Sequence, residues 1–422
     1  MDQQIEPGFL KGIVQISPSK SDSQRAILAA ALSKGTSNLY NIGISADENS
    51  MINAIQQLGA IIKKIDESTL EITGSKSFPK KMKINVGESG LGARLLTSVC
   101  AAHELEFELV GEGTILKRPM TFFDEVFPTL GVSIKTNEGF LPFKVKGPMY
   151  ATEIIVDGSL SSQYISGLLM ALPLQKAASV LKVKNLKSKP YLIMTLNTLS
   201  AFGIEINHSN LEEFRINGNQ NYHSTNYTIE GDWSSASYWL VASALGADVF
   251  VNGLSMASSQ ADKRILDALI AAGCSVVHSK DGIQIDGKER HAFVFDATNC
   301  PDLFPSLVAF AALINGCSKI KGVHRLKHKE SDRGEILCQE FKKLGIEIEL
   351  NEDIMFVHGS SQVSGGTLDS HHDHRIAMCL AIIGNFTNES ITIQHSNAVS
   401  KSYPDFWKHL EKLKKSDNKF IK

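Results

Sequence analysis

Five times along the 422 residues the same phrase recurs: an amphipathic helix, a glycine, then an alternating strand rich in β-branched residues. It reads AIQQLGAIIKKI, EVFPTLGVSIKT, NTLSAFGIEINH, DALIAAGCSVVH and QEFKKLGIEIEL. Its glycines, Gly59, Gly131, Gly203, Gly273 and Gly345, are spaced 72, 72, 70 and 72 residues apart. A glycine there suits the left-handed residue that ends a helix and hands the chain to a strand. The run FWKHLEKLKK reads as a last, partial copy. A period near 70 residues is too long for a solenoid of single helix pairs. It suits a compact βαβ-plus-hairpin unit, repeated about six times and built into α/β lobes.

With 43 Lys and Arg against 45 Asp and Glu, the net charge is −2, which gives no field for a polyanion. No nucleic acid partner is expected, and any anionic ligand must be met by local clusters of Arg and Lys. Six cysteines (Cys100, Cys274, Cys300, Cys317, Cys338, Cys379) are scattered without a CxxC pair, as expected of reduced thiols rather than disulfides or a zinc site. The start MDQQIEPGFLKG has no basic region followed by an apolar run, and no run of 18 apolar residues occurs. A cytoplasmic protein with no membrane partner is the expectation.

Several stretches place hydrogen-bond donors before apolar helical runs. SPSKSDSQR (17–25) packs four serines and two cations ahead of AILAAAL. Ser21 or Asp22 suits its cap, and Lys20 and Arg25 add charge for an anion at the helix mouth. The segment equally suits a solvated cap. There is no GxxxxGK[ST], so it is not a nucleotide loop. GESGLGARLL brings backbone N–H groups close to a ligand through Gly87, Gly90 and Gly92. LKRPM offers Arg118 before a proline, DGSLSSQY offers Ser161, Ser162 and Gln163, and SKPY offers Ser188 and Tyr191. One such cap is structural; three in a repeat protein suggest a shared way of holding anions.

In the C-terminal half, carboxylates join the cations. NCPDLFPSL carries Asp302, LKHKESDRGEIL carries Lys329, Glu330, Asp332 and Arg333, SHHDHRIAMCL carries Asp373, His374 and Arg375, and SKSYPDFW carries Lys401. His371, His372 and His374 lie too close for a helical zinc pair and no HExxH occurs, so no metal is expected. Acids set among cations suit proton transfer beside an anionic substrate, as well as a solvated helix start.

Taken in order, SPSKSDSQRA, GESGLGAR, KRP, DGSLSSQY, SKPY, EGDWSSASYWL, PDLFPSL, KESDR, DHRIAMC and KSYPDFW resemble the successive signatures of the 3-phosphoshikimate 1-carboxyvinyltransferase (5-enolpyruvylshikimate-3-phosphate synthase) family. The resemblance runs from about residue 10 to residue 410. It implies a two-lobed, inside-out α/β barrel of about six βαβαββ repeats, with residues 1–18 plus 233–422 as one lobe and 19–232 as the other. It implies an active site in a cleft that closes on the substrates, no metal or organic cofactor, and a monomer. The reaction implied transfers the enolpyruvyl group of phosphoenolpyruvate to the 5-hydroxyl of shikimate 3-phosphate, through a tetrahedral intermediate, with release of phosphate.

By matching positions, the resemblance assigns the shikimate carboxylate to Ser21 and Arg25, and the 3-phosphate to Ser161, Ser162 and Ser188. Gln163 and Tyr191 lie against the ring. Lys20, Gly90, Arg118 and Lys401 surround the phosphate of phosphoenolpyruvate, with Gln163 beside them, and Arg333 and Arg375 clamp its carboxylate. Asp302 is the general base for the 5-hydroxyl, and Glu330 the acid–base group for the methylene carbon. Lys329 lies beside it, Lys329 and Lys20 both also serve the shikimate substrate, and both count among the catalytic groups.

The sequence departs from the family pattern at Ser17-Pro18, where many members have Pro-Gly, at Leu91, where Thr is often found, and at Glu88 and Arg325, where some members carry Asn. The related UDP-N-acetylglucosamine 1-carboxyvinyltransferase uses a loop cysteine, and VGEGTILKRPM has none. A non-catalytic anion-binding relative is opposed by the presence of Asp302 and Glu330 together with every matched cation.

Overall fold

All five repeat glycines are left-handed, with φ of 94° at Gly59, 74° at Gly131, 78° at Gly203, 84° at Gly273 and 81° at Gly345. An L side chain pays a steric penalty in that region, so glycine is the residue that lets each helix stop there. The computed structural model describes residues 1–150 and 152–415 of a mixed α/β protein. The strands that follow the glycines are Ile61–Lys64, Ser133–Asn137, Ile206–Ser209, Ser275–Ser279 and Glu347–Asn351. Each is an outer strand of a four-stranded sheet, and none contains a buried residue. Polar and charged side chains there discourage pairing of the open edge with another chain.

The five sheets share one order. In the clearest, Lys81–Asn85 runs parallel to Glu106–Val110 across the Gly90–Ala101 helix. The hairpin Ser133–Asn137 and Phe140–Lys146 then adds on antiparallel, with Phe140–Lys146 against Glu106–Val110. A parallel pair needs a crossover, and the helix supplies it. A three-stranded sheet pairs Gly366–Asp369 in parallel with Ile391–Gln394, and Gln3–Ile5 antiparallel to the latter.

The chain divides into two compact units, Pro18–Glu230 and Met1–Ser17 with the chain from Gly231 onward. In each unit one sheet borrows its outer parallel strand from far along the sequence. Asn226–Thr228 lies beside Thr36–Tyr40 in the first unit, and Lys11–Gln15 beside Asp248–Asn252 in the second.

Each unit contains three helices that are buried nearly all round, their polar residues included. They are Lys20–Leu32, Gly90–Ala101 and Ser162–Ala171 in the first, and Trp233–Ala244, Phe304–Ala311 and His374–Ile383 in the second. Their approach is close: a Cβ on Gly167 would sit 2.6 Å from the Arg94 carbonyl oxygen on the neighbouring helix. With the bodies of these helices buried, their N-terminal ends are where polar chemistry can gather.

Candidate active site

The N-terminal ends in the two units are built from different residues. In Pro18–Glu230 the caps are serines: Ser19 accepts from the Asp22 N–H, Ser89 from Gly92, and Ser161 from Gln163. In the other unit Asp232 caps Trp233–Ala244 and Asp373 caps His374–Ile383, while Asp302 stands in the turn Pro301–Leu303 that enters Phe304–Ala311. The first cap corrects the expectation of Ser21 or Asp22. The helix starts at Lys20, directly after Ser19, so both lie in its first turn.

Gly90–Ala101 and Ser162–Ala171 have neutral caps and no acid in their first turns, which leaves their positive ends unneutralised, whereas Lys20–Leu32 carries Asp22 there. Arg25 is 1% exposed and donates from Nε to Thr195 Oγ1 at 2.8 Å and from Nη1 to the Ser21 carbonyl at 2.7 Å. Its Nη2 reaches Ser166 Oγ and the Tyr191 carbonyl. These partners carry no charge, and burial pushes the Arg25 pKa down to about 10. Lys20 Nζ lies 3.0 Å from Asp47 Oδ2, and Gln24 Nε2 ties the Asp47 carbonyl to Ser89 Oγ, at 2.8 Å each.

At Gly90 an added Cβ would meet Arg118 Nη1 at 2.4 Å and Arg94 Nη1 at 2.9 Å, so a side chain there would displace the guanidinium groups. Arg94 in turn donates to Gln163 Oε1 at 2.8 Å and lies 4.7 Å over the Tyr164 ring. Ser162 opens its helix, and Ser188, at φ 56°, precedes Lys189–Ala201, on whose first turn Tyr191 sits. Glu88 accepts from the Thr114 N–H and hydroxyl at 2.9 and 2.7 Å, which pins the turn leading to Arg118.

In the other unit the acids and cations form one connected network. Asp302 Oδ1 accepts from Lys329 Nζ at 3.1 Å and Arg333 Nη1 at 2.7 Å, and its Oδ2 accepts from Arg375 Nη2 at 3.0 Å. Arg333, 1% exposed, also donates to Glu330 Oε2 at 2.7 Å and from Nε to Asp373 Oδ2 at 2.8 Å. Lys401 Nζ lies 3.9 Å from Glu330 Oε1.

Burial alone would raise the Asp302 pKa, but Arg375, Lys329 and Arg333 overrule it and hold the carboxyl well below its ordinary range. For Lys329 burial wins and lowers the ammonium, although Asp302 opposes it. Asp262 is 1% exposed and accepts from Ser234 Oγ; burial, with the Asp302 charge, pushes its pKa up to about 6. Among the described residues no group of three or more His, Cys, Asp or Glu is placed to hold a metal, and no helix is long and apolar enough to cross a membrane.

The sixteen expected site residues divide between the two units. Lys20, Ser21, Arg25, Gly90, Arg118, Ser161, Ser162, Gln163, Ser188 and Tyr191 lie in one; Asp302, Lys329, Glu330, Arg333, Arg375 and Lys401 lie in the other. Asp47, Thr195 and Asp262 are network members that no motif signalled, since each acts through a partner distant in sequence, while Gln24 and Arg94 stand within SPSKSDSQRA and GESGLGAR without an assigned role.

The model of the EPSP synthase (3-phosphoshikimate 1-carboxyvinyltransferase) family matches residues 5–410. The chain belongs to the EPSP synthase family. It is 37% identical to the 3-phosphoshikimate 1-carboxyvinyltransferase of Clostridium novyi (strain NT), over 97% of this chain and 96% of that one. Its identity to the enzyme of the same name from Clostridium botulinum (strain Alaska E43 / Type E3) is 38%, with the same coverage. An EPSP synthase structure from Acinetobacter baumannii shares the fold with a TM-score of 0.79 at 24% identity, covering 98% of each chain.

Proposed function

We propose that this chain transfers the enolpyruvyl group of phosphoenolpyruvate to the 5-hydroxyl of shikimate 3-phosphate and releases phosphate, a step of aromatic amino acid biosynthesis in the cytoplasm. The observation that carries the reading is the three-carboxylate, four-cation network of Asp302, Glu330 and Asp373 with Lys329, Arg333, Arg375 and Lys401. Two phosphates and two carboxylates bring roughly six negative charges, at close to −2 per phosphate. Cations alone would bind the substrates without accelerating the reaction. Acids fixed among the cations add the proton transfers that addition and elimination require.

In this reading Arg25 and Ser21 hold the shikimate carboxylate, while Ser161, Ser162 and Ser188 hold its phosphate, with Gln163 and Tyr191 against the ring. Lys20, Gly90, Arg118 and Lys401 receive the phosphate of phosphoenolpyruvate. Its carboxylate takes the N–H groups of Arg333 and Arg375. Asp302 uses those same donors, so the arriving carboxylate competes for them and raises the basicity of Asp302 toward the 5-hydroxyl. Glu330 delivers and removes the methylene proton, with Lys329 at its side. The finer architecture that accompanies this reading is the inside-out arrangement of about six βαβαββ repeats, in a monomer that needs no metal or organic cofactor.

The choice of acceptor tests it. Phosphate release from phosphoenolpyruvate is expected with shikimate 3-phosphate and absent with UDP-N-acetylglucosamine. Release with the nucleotide sugar alone would overturn the reading.

A further inference from the structure

Arg333 opens the helix Arg333–Lys343, and Glu340 lies on the same helix seven residues later, about 10 Å along its axis and on the same face. Both grip one turn, residues 369–373. At one end Arg333 Nε and Nη2 hold the Asp373 carboxylate, at 2.8 and 3.2 Å. At the other, Glu340 Oε2 accepts from the Asp369 N–H at 2.9 Å, and Oε1 faces His371 Nε2 at 3.0 Å. Lys343 reaches Glu340 from the exposed side at 2.7 Å. Asp369 Oδ1 accepts from the His371 N–H at 2.7 Å and faces His395 Nδ1 at 2.8 Å, while the rings of His372 and His395 are 4.1 Å apart.

The backbone supports this grip with strain. His371, His372 and His395 have φ of 51°, 59° and 53°, and two of them immediately precede Asp373. Non-glycine residues in that region are uncommon, and they persist where their surroundings over-determine them. Glu340 is 2% exposed, and a buried carboxylate fixes whatever donates to it, since losing a donor is costly.

We propose that His371 and Glu340 are positioning residues. They hold the 369–373 turn in its strained form, set the Asp373 carboxylate, and through it fix the plane of the Arg333 guanidinium. The inference rests on the reading of Arg333 as part of the clamp for the phosphoenolpyruvate carboxylate. Asp373 engages one edge of the guanidinium in a two-point contact, so a shift of its carboxylate tilts the donors that remain for a ligand. Misplacement of about 1 Å is enough to matter at a reacting site.

His371 is 33% exposed at its side chain, which makes it the safer position to change. Asn tolerates a left-handed backbone and is too short to reach Glu340, whereas Gln keeps an amide donor near the reach of Nε2. His371→Asn is expected to raise KM for phosphoenolpyruvate about ten-fold, with KM for shikimate 3-phosphate within about two-fold and kcat within about three-fold. His371→Gln should recover most of the loss. Arg333→Lys, measured alongside, should raise the same KM. If Arg333→Lys does so while His371→Asn changes nothing, the positioning role of His371 and Glu340 is overturned and the Arg333 reading stands. If Arg333→Lys leaves it unchanged, that reading fails and the positioning role falls with it. Equal loss for both substrates in His371→Asn, or no recovery in His371→Gln, would show a merely structural role and overturn the proposal.

Discussion

Arg25 and Arg333 are each 1% exposed and are held in opposite ways. Arg25 donates to hydroxyl and carbonyl oxygens, Arg333 to three carboxylates. A ligand carboxylate at Arg25 would therefore replace neutral hydrogen-bond partners with a charged one, although Asp22 already acts on the guanidinium through its charge. A charge-assisted hydrogen bond contributes about 1.5–3 kcal/mol, so Arg25→Ala should raise KM for shikimate 3-phosphate roughly 10–150-fold and that for phosphoenolpyruvate far less. Steady-state kinetics with each substrate varied in turn checks the split. Glu330→Gln keeps the size of the side chain and removes its proton chemistry; kcat should fall about 10²–10⁴-fold with little change in binding of shikimate 3-phosphate. At this scale the legible residues were those with chemistry in their own motif, such as Lys329, Glu330 and Arg333 within KHKESDR. Asp47 was not legible. Its run ADENS reads as an ordinary helix start, and nothing local says that Lys20 lies 3.0 Å away.

The glycine-ended elements differ in how much room surrounds the glycine, and that orders the cost of changing it. At Gly345 a Cβ would have only Ser364 Oγ at 4.0 Å, so Gly345→Ala should cost only the left-handed penalty of about 1–2 kcal/mol. At Gly273 the added carbon would meet the Glu289 carbonyl at 2.7 Å and the His291 ring at 3.0 Å, so Gly273→Ala should lower the thermal midpoint further than Gly345→Ala. Equal shifts would contradict the packing argument. These elements were readable because helix, cap and strand follow one another directly. Which strand completes a sheet was not, because Lys11–Gln15 pairs with Asp248–Asn252 across more than two hundred residues of intervening chain. Hydrophobic periodicity describes a strand and carries no address for so distant a partner.

Across the whole molecule, burial makes several carboxylates hold their protons more tightly, Asp22 and Glu48 in one unit and Asp262 in the other. Burial, partly offset by the Tyr227 hydroxyl, pushes Asp22 up to about 6, and burial with the Asp302 charge does the same at Asp262. A folded pKa above the unfolded value stabilises the protein at low pH, and that contribution is lost as pH rises through the folded pKa. Between about pH 4 and 7 the thermal midpoint of Asp22→Asn should therefore move in the mutant's favour relative to wild type. A constant difference would place the Asp22 pKa elsewhere. Asp302 has the opposite sign: its depressed pKa keeps it ionised through that range, so its ion pairs stay intact until the solution is more acid than its unfolded value. In the proposed function residues of both units serve one reaction, which inorganic phosphate release tests most directly. Purified protein should release phosphate only when shikimate 3-phosphate and phosphoenolpyruvate are both present, and Glu330→Gln should release it orders of magnitude more slowly. No release from the wild-type protein with both substrates bound would contradict the account.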